Sequence, residues 1–135
     1  MPVCYMDFMV EAKGYLVPEF PSEIVCRISV SRAYYGAYHA ALGYADSISI
    51  PPVSDTGGKT HEKLRLYYQG NLHPDNALRM KHRKVGYCLK QIHDNRVLAD
   101  YRLKLTVDKS MAELQLRQCD VVVESVNALS SAKVA

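Results

Sequence analysis

The chain has 135 residues, a length that fits one domain able to bury a core without metal or disulfide staples. Apolar residues make up 48% and charged residues 23%, which excludes a disordered or fibrous chain. No apolar run approaches the roughly 18 residues that span a bilayer, so no membrane association is expected.

The opening MPVCYMDFMVEAKG carries Asp7 and Glu11 and no basic stretch, so it does not read as a secretory signal, and a cytoplasmic protein is expected. Residues 3–15 suit a first helix, ended by GYLVPEFP. A second helix begins near Pro21 or Ser22, with Ser22 as N-cap and Glu23 in its first turn. It runs to about Ser47. Its seam is Val30, Tyr34, Ala37, Ala41, Tyr44 and Ile48, a spacing that buries a helix among other helices. The prolines and glycines of SIPPVSDTGG then force a loop. A short helix over 59–69 stops at Gly70 and Asn71. Pro74 marks the start of a fourth helix, with Leu78, Val85, Leu89 and Ile92 as its buried stripe. Asp108 reads as the N-cap of a last helix over 109–131. Its stripe is Ala112, Leu116, Cys119, Val123 and Val126. Residues 130–135 are expected to fray. No strand alternation stands out. The class is all-α: an up-and-down four-helix bundle with room for a short extra helix, forming a single domain over residues 1–135.

Cys4, Cys26, Cys88 and Cys119 form no C-x-x-C pair, and reduced, buried thiols are the simplest expectation. The histidines are scattered, and neither a metal nor another cofactor is expected. Net charge is only +3, but residues 59–104 hold eleven basic against four acidic side chains. That segment also holds four of the five histidines. A polyanion partner and an ordinary solvated face explain this asymmetry equally well.

Three stretches have the residue types for chemistry. In SRAYYGAYHAAL, Arg32 and His39 are seven apart and share a helix face with Gly36 and Gly43. An arginine fork holds phosphate and a histidine moves a proton, the minimum for RNA cleavage without metal. The spacing alone favours close helix packing instead, with Arg32 capped by an acidic neighbour. In IHDNRVLADYRL, Arg96 and Asp100 stand at i and i+4, suited either to a simple ion pair or to a polar cluster with His93. In RMKHRK, Arg79, Lys81, Arg83 and Lys84 make a short basic run, which in most proteins is merely solvated. Ten tyrosines offer stacking surfaces for bases, although most fall at core spacing.

Taken in order, SRAYYGAYHAALGYA, GGKTHEKL, NRVLADYRL and a final amphipathic helix resemble the small stand-alone prokaryotic proteins of the HEPN superfamily. The motifs that carry the resemblance are Arg32 to Tyr35, Lys59 to His61 and Arg96 to Tyr101. The resemblance covers about residues 20–130. It implies a four-helix bundle that dimerises and works on RNA or nucleotides. It further implies a metal-independent ribonuclease of toxin–antitoxin, CRISPR or phage-defence type, with a minimal nucleotidyltransferase as a partner. Family members carry an arginine and a histidine with four to six residues between them near the start of a late helix. Here the residues after Arg96 read VLADYR, and the Arg32–His39 pair that fits the spacing lies in an earlier helix. The resemblance therefore nominates Arg32, His39 and Arg96 as catalytic, with His61 or His93 as further sources of a proton. Lys59, His61, Asp100, Tyr101 and the basic run would bind nucleotide or RNA. The alternative is a degenerate member that binds nucleotide, RNA or a partner without cutting.

Overall fold

The computed structural model describes residues 2–134. They form five α-helices: α1 (Tyr5–Tyr15), α2 (Glu23–Ile48), α3 (Thr60–Gln69), α4 (Asn76–Tyr101) and α5 (Lys109–Val134), with a 3₁₀ turn at Val53–Asp55. The helix starts follow local chemistry. Ser22 Oγ accepts from Val25 N–H at 3.4 Å, Asp75 Oδ1 from Leu78 N–H at 3.1 Å, and Asp108 Oδ1 from Met111 N–H at 2.9 Å. Each satisfies a backbone donor that the first helical turn leaves unpaired. The last helix does not stop at 131 but continues through Val134, while Ala135, the end of the expected frayed tail, lies outside the described residues.

α2 is the central helix. Val30, Tyr34, Ala37, Ala41 and Tyr44 of its seam are buried, whereas Ile48 is 40% exposed because the helix ends there. α1 runs antiparallel along it. Ser29 Oγ donates to Ala12 O at 2.8 Å, and the Phe8 and His39 rings lie 5.4 Å apart. A Cβ on Gly36 would stand 2.6 Å from Met9 Sδ, so the glycine sets how close α1 and α2 come. α4 and α5 form a second antiparallel pair, tied by buried Gln115, whose amide donates to Ile92 O at 3.0 Å. Gly86 plays the spacing role between α4 and α3, where a Cβ would meet Gln69 N at 2.7 Å.

The direction of α3 departs from simple up-and-down order. Its start meets Tyr34 and its end meets Ala41 and Tyr44, so it runs parallel to α2. Residues 49–59 must therefore carry the chain back along α2. Asp46 holds this strap by accepting from Ser54 N–H and Oγ–H, and Lys63 donates to Ser54 O and Thr56 O.

Arg27 is the main buried cation of the framework. Its guanidinium donates to the carbonyls of Ala99 (2.9 Å), Leu98 and Arg102 (both 3.4 Å) and Leu105, and to Glu23 at 3.1 Å. Ala99 O and Leu105 O are acceptors that the end of α4 and its following turn leave without a backbone donor, whereas Leu98 O and Arg102 O also accept from the N–H of Arg102 and Leu105. Glu23 in turn accepts from Val107 N–H at 3.0 Å. Cys26 and Cys119 are buried and Cys88 half-buried, but Cys4 is exposed as the N-cap of α1, contrary to the expectation of four buried thiols. Among the described residues no helix is long and apolar enough to cross a membrane.

Candidate functional site

The helix phases bring the densest polar cluster together where α2, α3 and α4 meet. α2 contributes Tyr34, Tyr35 and Tyr38 from adjacent positions of one face. α3 contributes His61 and, one turn later, Arg65. α4 contributes His93, Arg96 and Asp100 at i, i+3 and i+7.

The parts touch. Tyr34 Oη and His61 Nδ1 are 2.6 Å apart, the His61 and His93 ring centroids 5.1 Å, and those of His61 and Tyr38 4.9 Å. The Arg96 guanidinium carbon lies 5.5 Å and 5.4 Å from the Tyr34 and Tyr35 ring centres, within cation–π range. Arg96 Nη1 donates to Tyr35 Oη at 3.2 Å and to Asp100 Oδ2 at 3.3 Å. Asp100 also accepts from Ser31 Oγ at 3.2 Å.

Burial sets the protonation. It pushes His61 down to about 4, and the neighbouring His93 and Arg96 add to the effect. It lowers His93 as well, with the Arg96 charge acting the same way and Asp94 opposing both. Tyr34 is pushed well above its ordinary range by burial, so its hydroxyl keeps its proton. That hydroxyl has no other acceptor among the described residues, so it donates to His61 Nδ1 and leaves the imidazole proton on Nε2. At neutral pH the cluster thus holds two neutral imidazoles beside the guanidinium groups of Arg65 and Arg96.

Three of its nitrogens are buried without a hydrogen-bond partner: Arg65 Nε, His93 Nδ1 and Arg96 Nε. Asp94 Oδ1, 3.7 Å from His93 Nδ1, is too distant to satisfy it. Leaving the two arginine donors unmet inside the protein is costly, and the imidazole nitrogen beside them is a polar atom equally without a partner.

The nominated residues divide. Arg96, Asp100 and His61 belong to the cluster. Arg32 and His39 lie at its α1 side: Arg32 pairs with Glu11 at 3.8 Å, and His39 is exposed, its ring 6.5 Å from that of Tyr35. Lys59 is exposed just before α3, and Tyr101 is 69% exposed at the end of α4. In the basic run, Arg79 Nη1 donates to His73 O at 3.0 Å and Arg83 Nε to Asn71 O at 3.1 Å, whereas Lys81 and Lys84 are exposed. Arg65 was not legible as a site residue. The only signal is its place one turn after His61, and nothing local says that this face meets His93. Compared with known proteins, the chain matches no family model, no curated protein and no solved structure.

Proposed function

We propose that the chain acts on RNA or nucleotides, holding a phosphate at the Arg96 cluster and supplying metal-independent ribonuclease chemistry there, in the manner of the HEPN proteins its motifs resemble. The observation that carries this reading is the trio of buried, unpartnered nitrogens on Arg65, His93 and Arg96. Arginine forks and the His61 Nε2–H supply donors for phosphate oxygens. His93, held neutral by burial, takes the proton of a ribose 2′-hydroxyl as that oxygen attacks the adjacent phosphorus. The bond from phosphorus to the 5′-oxygen breaks and that oxygen takes a proton from solvent, giving a 2′,3′-cyclic phosphate and a 5′-hydroxyl end. Toxin–antitoxin or phage-defence roles fit such an activity, and the same resemblance supports a homodimer.

The test is incubation of the purified protein with total RNA in EDTA. Cleavage is expected, with Arg96→Ala and His93→Ala each losing at least about tenfold and Arg32→Ala retaining more. If wild type and all variants behave alike, the assigned cluster is wrong.

A binding role without cleavage is the second reading. It is favoured by one observation: Tyr34 occupies the acceptor nitrogen of His61. Under it, RNA is held with a steep salt dependence but is not cut, and Arg96→Ala weakens binding by about tenfold or more.

A further inference from the structure

A second opening lies toward the other end of the helices. It is a cleft of about 370 Å³ between the ends of α2, α3 and α5 and the start of α4, within the range that holds small ligands. Four of its walls are rings: Tyr44, Tyr67, His73 and His82.

The hydrogen bonds already made fix what these walls have left to offer. His82 Nδ1 donates to Leu78 O at 2.7 Å, so its Nε2 accepts from Tyr44 Oη at 3.1 Å and the pair is closed. His73 differs. Its Nδ1 accepts from Asp75 N–H at 3.0 Å, which puts the ring proton on Nε2. Asn71 Oδ1 accepts from His73 N–H at 2.9 Å, leaving the amide NH₂ to donate. The Tyr67 hydroxyl has no hydrogen-bond partner among the described residues. The cleft therefore presents aromatic faces and an excess of donors. Arg79 and Arg83 brace its rim through the carbonyls of His73 and Asn71, and neither forms an ion pair with a carboxylate among the described residues. A ligand that fits is flat, carries acceptor oxygens on its edge and ends in an anion.

We infer that this cleft seats the oxo-bearing base of a nucleotide, guanine or uracil, with its phosphate toward Arg79 and Arg83. Bases stack on aromatic side chains, and edge oxygens pair with amide and imidazole donors. The inference stands apart from the phosphate reading of the Arg96 cluster, because His82 and Arg96 are about 21 Å apart along α4 at the helical rise.

The test is calorimetric titration of the full chain with GMP, UMP, AMP and CMP, and with a G- and U-containing RNA hexamer. Histidine ring NMR of the wild type is recorded alongside. GMP or UMP is expected to saturate and to shift the His73 and His82 signals. AMP and CMP, which present an amino group in place of the edge oxygen at O6 or O4, should bind about tenfold more weakly. Asn71→Ala should weaken binding by a similar factor, Ala132→Trp should fill the cleft and abolish it, and Arg96→Ala should leave it unchanged. Binding by the hexamer alone, lost in Ala132→Trp, supports the same seat with an RNA strand as the source of the base. No saturation by any of these ligands, or binding that survives Ala132→Trp with the His73 and His82 signals unmoved, overturns the inference.

Discussion

His61 is a base that the fold keeps from being charged. Burial and its neighbours His93 and Arg96 lower its pKa to about 4 from 6.5, and burial also lowers His82 and His93. The unfolded chain therefore binds protons in this window that the native chain does not. Stability is full above about pH 6.5 and falls as pH drops toward 4. Urea denaturation at several pH values should show this decline, and His61→Gln should make it shallower. Arg27 is the opposite case, a charge the fold depends on. Its side chain is 7% exposed and serves several carbonyls at once. Arg27→Ala should cost about 3 kcal/mol in urea denaturation, because Ala99 O and Leu105 O lose their donor inside the protein and Glu23 loses its cation. Only its pairing with Glu23, four residues earlier, is visible in the sequence. The acceptors at Leu98 to Leu105 are brought to it by the packing of α2 on α4.

At the scale of elements, the sequence carried most of the helix framework. Caps, prolines and the apolar stripes locate all five helices to within a few residues, because each signal is local. Partner choice was less visible. The face Arg32, Gly36, His39 and Gly43 suited either a groove or a close helix. α1 lies against it, with Glu11 at Arg32, Met9 at Gly36 and Phe8 at His39. The glycines are therefore not equivalent. Gly86→Ala should destabilise by about 2 kcal/mol or more, since its neighbour is the backbone of Gln69. Gly36→Ala should cost less, because the nearest atom is on a flexible Met9 side chain. Gly43→Ala, with nothing within 4 Å, should add about 0.5–1 kcal/mol. Thermal melts of the three variants should rank in that order. The candidate site was half legible for the same reason. Arg96, Asp100 and His61 sit in recognisable motifs, but Tyr34 and Tyr38 look like core, and Arg65 gains meaning only when α3 packs on α4.

Over the whole molecule, exposed apolar side chains occur on every helix, Leu66, Met80 and Tyr87 of the basic segment included. The basic segment spans α3 and α4, while one end of the bundle exposes Phe20 (87%), Ile24 (62%) and Leu103 (75%). Ile24 and Leu103 border the same shallow groove as Arg32 and Asp100, next to the Arg96 cluster. The proposed homodimer would cover this end. Ile24→Asp combined with Leu103→Asp should then shift the protein from dimer to monomer in sedimentation; a profile identical to wild type would place the interface elsewhere.

The strap over residues 49–59 has a consequence for how the chain is divided. α1 and α2 make the first unit of chain and α3, α4 and α5 the second, with α2 packed against α4 and α5 as well as α1. The strap is the covalent link between them, because α3 restarts beside Tyr34 instead of turning back at the end of α2. The Arg96 cluster draws its tyrosines from the first unit and its histidines and arginines from the second. It lies where the chain before the strap packs on the chain after it. A break at Gly57–Gly58 would leave each piece its own helices and leave the cluster to non-covalent packing alone, so the molecule is built like a split protein whose halves carry complementary parts of one site.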